Sequence, residues 1–110
     1  MGRFVKGDIV ILPFPFSNLS GSKKRPAFVI QDLEGDDLIV CQITSKFHYD
    51  SHSIYLANSD FANGSLPQNS FIRPNKIFTA EDRIIIGKAG NVKNNKIDEV
   101  INELVDIITQ

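Results

Sequence analysis

A chain of 110 residues with 42% hydrophobic and 23% charged side chains reads as one ordinary globular domain, residues 1–110, with room for a single modest core. Its formal net charge of −1 argues against a generally basic nucleic-acid binder, and its one cysteine rules out an intrachain disulfide framework. The apolar runs are strand-sized and Met1-Gly2-Arg3 opens no apolar leader, so no membrane span is expected and a cytoplasmic location is.

Residues 8–12 form the first expected strand, announced by Gly7 and closed by Pro13-Phe14-Pro15-Phe16, whose prolines mark an edge or a departure from the sheet. Residues 17–22 are small and polar and read as a mobile loop. Lys23-Lys24-Arg25 then run into Pro26 and the apolar stretch 27–30. Pro26 holds Arg25 extended and suits the first position of a strand buried on both faces. Residues 38–44 form the third strand, with Cys41 inside it as a small buried hydrophobe. Glu34-Gly35-Asp36-Asp37 joins the two as an antiparallel hairpin.

Residues 47–51 read as a connection, 53–56 as a short strand, and 57–69 as loop or a turn of helix. Residues 70–78 resume strand character. Phe71, Arg73, Asn75 and Ile77 fall on one face, Ile72, Pro74, Lys76 and Phe78 on the other, and Pro74 marks an edge or a bulge. Residues 83–86 suggest a last strand ended by Gly87, and Gly90-Asn91 a break. Ile97, Val100, Ile101, Leu104, Val105 and Ile108 recur at helical spacing, with Asn94 or Asn95 as N-cap and Asp98 and Glu99 in the first turn. The pattern predicts a mainly β, α+β fold: a small barrel closed or flanked by one amphipathic C-terminal helix.

Charge is uneven within this neutral chain. Residues 93–110 carry −2, and between Ser17 and Ile30 there are three cations and no acid. If Glu34-Gly35 is the hairpin turn, Arg25 faces Thr44. A turn shifted or lengthened by a residue moves the partner to Ser45 or Lys46. A guanidinium fork at a strand rim, facing hydroxyls and strand-end N–H groups, is suited to a phosphodiester. The alternative is a rim arginine paired with an acid such as Glu34 or Asp50.

Gly7-Asp8-Ile9-Val10, Lys24-Arg25-Pro26-Ala27, Ile43-Thr44-Ser45, Ser70-Phe71-Ile72-Arg73-Pro74 and the final helix, in this order and spacing, resemble the PemK/MazF family of toxin endoribonucleases over nearly the whole chain. The resemblance implies an SH3-like barrel, a homodimer, and sequence-specific cleavage of single-stranded mRNA without metal or cofactor. It also implies an antitoxin partner whose extended acidic and apolar tail occupies the RNA groove. It maps catalytic roles onto Arg25 and Thr44, and RNA contacts onto Lys24, Ser45, Lys46, Arg73 and Lys76. Some members carry an aspartate two positions after the arginine. Asn75 stands there in this chain and cannot accept a proton, which leaves the general base unassigned.

Other candidates are narrower. His48, Asp50 and His52 would share a strand face and could bind a divalent cation, but their segment reads as loop; His48 could instead shuttle protons close to Thr44. Phe14 and Phe16 are candidates for stacking bases. Gly87-Lys88 lacks the flanking residues of a phosphate-binding P-loop. Two competing readings are a gyrase-targeting toxin of the same fold, whose known examples carry a C-terminal tryptophan this chain lacks, and a barrel that binds nucleic acid without chemistry.

Overall fold

A strand that is apolar on both faces must lie inside a sheet covered twice, and residues 27–30 are such a strand. The computed structural model describes residues 4–14, 23–47 and 50–110, with the backbone alone of Phe14. The expected loop 17–22, Phe16 and His48 lie outside the described residues. The strands are β1 (Asp8–Phe14), β2 (Lys23–Asp32), β3 (Asp37–Thr44), β4 (Ile54–Leu56), β5 (Phe61–Gly64), β6 (Ser70–Glu81) and β7 (Gly87–Val92), followed by helix α1 (Asn94–Ile108). Short 3-10 turns occupy Asn58–Asp60 and Asp82–Ile84. All the strands join one curled antiparallel sheet in the order β4-β6-β3-β2-β1-β7-β5, a half-barrel with β4 and β5 at its edges. The mainly β, α+β class expected from the pattern is the one observed.

Successive residues of β2 feed two cores. Phe28 and Ile30 join Ile9, Cys41, Ile43 and Ile72 beneath the helix, where Val100 is fully buried and Ile97, Ile101 and Leu104 pack. Ala27 and Val29 join Val10, Leu12, Leu38, Val40 and Ala80 on the opposite face. Pro26 lies inside β2 rather than at its start. The ladder to β3 begins only at Ala27, so over residues 23–26 the strand is paired on the β1 side alone, as an edge strand is.

The Gly7-Asp8 opening is structural. Gly7 has φ +92°, and its N–H and carbonyl bond Val29 and Val92. Asp8 is buried and accepts N–H bonds from Val5 at 2.8 Å and from the Asn91 side chain at 2.9 Å. This ties β1 to both neighbours.

Four expectations change. β5 was legible only as loop, because Phe61-Ala62-Asn63-Gly64 is too short and mixed for a period of two. Gly90 does not break the chain: it lies within β7 opposite Gly64, and a Cβ on either would strike the other's backbone. Residues 83–86 form no strand; β7 starts where that strand was expected to end. In β6, Gln42 faces Arg73 while Cys41 faces Ile77, so Pro74-Asn75-Lys76 bulge out. An odd insertion reverses the faces. Ile72 therefore enters the helix-side core and Phe78 packs against the other.

The helix starts earlier than its pattern suggests. Lys93 is the N-cap residue, without a side-chain cap bond, and Asp98 and Glu99 lie beyond the first turn. Tertiary bonds do the anchoring instead. Lys93 N–H donates to the Asp60 carbonyl at 2.8 Å. The buried Lys96 ammonium donates to the Tyr55 carbonyl and to Glu99, both at 2.9 Å, with Asp60 at 3.7 Å. No helix among the described residues is long and apolar enough to cross a membrane.

Candidate active site

The β2–β3 hairpin sets the position of Arg25. Leu33 N–H bonds the Asp37 carbonyl, so three residues, Glu34-Gly35-Asp36, make the turn rather than two. Near the turn Asp32 faces Leu38 and Gln31 faces Ile39; beyond a bulge at Ile30 the pairs are Val29–Val40, Phe28–Cys41 and Ala27–Gln42. The longer turn alone would set Arg25 opposite Ser45. The bulge takes back one residue, and two further steps along this register bring Arg25 level with Thr44.

Both residues line one cleft of about 300 Å³, with Lys24 and Ser45 on the same wall. Arg25 makes no ion pair among the described residues; the acids named as its alternative partners lie elsewhere, Asp50 being bonded to Arg73. Thr44 is 5% exposed, and its Oγ1 accepts the Lys46 N–H at 3.1 Å. A hydroxyl accepting in this way still has its own proton to donate. Lys46 is exposed and does not line the cleft.

Of the opposite wall, Leu66, Pro67, Gln68 and Ser70, the sequence marked only Ser70, as the first residue of the stretch 70–74 that carries the family resemblance. Leu66 is held by its burial and by its N–H bond to Asn58 Oδ1 at 3.0 Å; Ser70 Oγ donates to the Gln68 carbonyl at 3.0 Å. Asn58 and Ser70 are ordinary polar residues until the fold brings them to this loop.

Arg73 lies outside the cleft. It pairs with Gln42, two rungs from the Thr44–Phe71 pair and on the same sheet face, a diagonal neighbour of Thr44. Its side chain is 11% exposed, its Nη2 donates to Asp50 Oδ2 at 3.2 Å, and its Nε is buried with no partner among the described residues. Asp50 therefore supplies from the β3–β4 connection the carboxylate that Asn75 does not. Its Oδ1 accepts the N–H groups of His52 and Ser53, each at 2.8 Å, and the Ser53 hydroxyl at 3.1 Å. The His52 N–H first, with Ser53 and Arg73, holds the Asp50 carboxyl down at about 2 against its desolvation. So weak a base does not take a proton from a hydroxyl near neutrality; Asp50 anchors Arg73. Lys76 lies in the β6 bulge, exposed and apart from the cleft.

Of the histidine cluster, His52 Nδ1 lies 2.8 Å from Glu103 Oε2, which fastens the connection to α1. With Asp50 bonded to Arg73 and His52 to Glu103, neither is poised as a ligand, and His48 is outside the described residues. Cys41 is fully buried, and burial pushes its thiol up, so it is an inert core residue. Of the aromatics first considered for stacking, Phe16 and the Phe14 side chain are outside the described residues. Phe71 and Tyr55 share the rung of Thr44.

This fold has close structural counterparts. A mycobacterial endoribonuclease in complex with its cognate antitoxin superposes with a TM-score of 0.78 at 11% identity, over 97% of this chain and 96% of that one. MazF from Deinococcus radiodurans superposes at 0.75 with 16% identity, over 100% of both chains. The same organism's MazE–MazF complex contains a chain that superposes at 0.73 with 15% identity, over 98% and 97%. Among curated proteins no sequence matches significantly. The profile of one family, described as PemK-like, MazF-like toxin of type II toxin-antitoxin system, matches residues 5–108. By that match over nearly its whole length, the chain belongs to the PemK-like, MazF-like toxins of type II toxin–antitoxin systems.

Proposed function

We propose that this chain is a toxin endoribonuclease that cleaves single-stranded mRNA without a metal ion, with Arg25 and Thr44 at the reacting phosphate. The observation that carries the reading is the meeting, in one cleft, of an Arg25 guanidinium with no acidic partner among the described residues and a Thr44 hydroxyl whose proton remains to be donated. The nucleophile is the RNA's own 2′-OH. Its oxygen bonds to the adjacent phosphorus, the bond from phosphorus to the 5′-oxygen breaks, and the products are a 2′,3′-cyclic phosphate and a 5′-OH. Arg25 neutralises the non-bridging oxygens as charge gathers on them, and Thr44 donates a hydrogen bond to the phosphorane. A guanidinium is a hydrogen-bond donor with no acceptor, so Arg25 serves as a charge and not as a base. The 2′-OH loses one proton and the leaving 5′-oxygen gains one, so the step is balanced in protons.

Lys24, Ser45, Lys46, Arg73 and Lys76 would hold the flanking strand. The family further supports a homodimer, a cytoplasmic site of action, and a cognate antitoxin whose acidic and apolar tail competes for the RNA groove. The test is incubation with single-stranded RNA in excess EDTA, beside the same RNA with 2′-deoxy substitutions. Cleavage that persists in EDTA and stops at deoxy positions supports the reading, and an Arg25→Ala protein that cuts at the wild-type rate overturns the site. The second reading, a barrel that binds RNA without chemistry, is favoured by the neutral Asn75 and the weakly basic Asp50. It predicts binding with no cyclic-phosphate product.

A further inference from the structure

We infer that Glu103 on α1 and His52 on the β3–β4 connection are positioning residues: they clamp Asp50 so that it holds Arg73 beside the Arg25–Thr44 cleft. The inference rests on the reading of that cleft as a phosphodiester site with Arg73 holding the flanking strand. Ile43, Ile54 and Ile72 belong to the core beneath α1. Side chains alternate along a strand, so Arg73 and the Gln42 opposite it point to the other face of the sheet. Asp50 and His52 reach one to each side. Asp50 Oδ2 accepts from Arg73 Nη2 at 3.2 Å, and His52 Nδ1 lies 2.8 Å from Glu103 Oε2 on the helix. The segment therefore ties the outer face of the sheet to the helix that covers its inner face.

Residues 50–53 lie outside the β4 ladder, which begins at Ile54. Their order comes from Asp50 itself, whose Oδ1 accepts the main-chain N–H groups of His52 and Ser53, each at 2.8 Å. The carboxylate is thus carried on the backbone of His52, and the position of that backbone decides where Oδ2 points. A carboxylate only accepts, so His52 Nδ1 carries the proton and donates to Glu103. The helix is a firm reference for this bond, with Val100 fully buried and the Lys96 ammonium bonded to the Tyr55 carbonyl. At the other end, Asp50 takes one of the five N–H bonds a guanidinium can donate, and the buried Nε of Arg73 has no partner among the described residues. A buried donor without an acceptor is rare in a folded chain, and a phosphate oxygen of a strand in the adjacent cleft would satisfy it. A fork already held by Asp50 loses less freedom on binding that phosphate.

Two readouts test the clamp: initial rates on a single-stranded RNA oligonucleotide, and hydrogen exchange of the Arg73 Nε–H, its resonance assigned with Arg73→Lys. Glu103→Ala removes the acceptor and suits a helix. It should raise KM about 3- to 10-fold at nearly unchanged kcat and speed the Nε–H exchange. His52→Ala, which leaves its main-chain N–H on Asp50, should do the same. Glu103→Gln, whose amide oxygen still accepts from Nδ1, should restore both to near wild type. In an Arg73→Ala background Glu103→Ala should add nothing, because it acts through that side chain. If the two substitutions instead multiply, or if Glu103→Ala changes neither KM nor the exchange, the clamp is overturned and the Arg25–Thr44 reading stands. If wild type cuts no RNA, that reading fails; the clamp is then upheld by faster Nε–H exchange in Glu103→Ala and overturned by unchanged exchange.

Discussion

Replacing Asp50 with asparagine removes a charge and almost no volume. Oδ1 accepts three hydrogen bonds from residues 52 and 53, and Oδ2 accepts one from Arg73. An amide can meet the first set with its oxygen, but its NH2 then faces the guanidinium, donor against donor. Arg73, 11% exposed, is left without a counter-charge. A hydrogen bond to a charged group is worth about 1.5–3 kcal/mol. Because Asp50 is partly exposed, we expect a loss of about 2 kcal/mol at pH 7, or roughly 8 °C in melting temperature for a chain of this size. The pH dependence follows from the carboxyl's position at about 2 when folded, against about 3.9 when unfolded. The unfolded chain binds the proton more readily, so stability from Asp50 is complete above about pH 4 and is lost as the pH falls toward 2. Urea midpoints of wild type and Asp50→Asn should differ at pH 7 and converge near pH 2. A gap of the same size at both pH values, or none at pH 7, would refute the reasoning.

Arg25→Lys keeps the charge but loses the fork; RNA cleavage should fall about 10²- to 10³-fold with little change in melting temperature, measured by gel and by thermal scan. Thr44→Val removes both the O–H and the acceptor of the Lys46 N–H. Cleavage should drop at least about tenfold, with a stability loss of about 1 kcal/mol that denaturant unfolding reads. Lys96→Met leaves the Tyr55 carbonyl and Asp60 without their buried cation. A loss of about 1–3 kcal/mol is expected, with faster amide exchange in β4 than in β3; unchanged exchange in β4 would show that Lys96 does not hold it.

Much of the frame was written locally. The unbroken apolar run in β2 announced a doubly covered strand, the 3.6-residue spacing announced α1, and the short acidic turn announced the hairpin that brings Arg25 toward Thr44. These signals are visible because each lies within a few residues of chain, where periodicity and turn chemistry act. Even there, the register came from two compensating features, a longer turn and a bulge at Ile30, that no local pattern separates.

The rest depended on partners far apart in the chain. β5 exists because Gly64 and Gly90 let two backbones approach. Asp50 lies 23 residues from Arg73 and belongs with it only once β6 is paired to β3. Nothing near Lys96 in the chain names its acceptor, the Tyr55 carbonyl 41 residues away. Likewise Phe71 and Tyr55 belong to different strands, and only the sheet order sets them on one rung with Thr44. By itself the sequence determined β1 to β3, the helix type of α1 and the side of the hairpin on which Arg25 meets the end of β3, because short-range geometry suffices for these. The cleft's second wall and the carboxylate that holds Arg73 were decided by tertiary structure, since each is made of residues whose meeting costs loop closure and is specified only by the complete sheet.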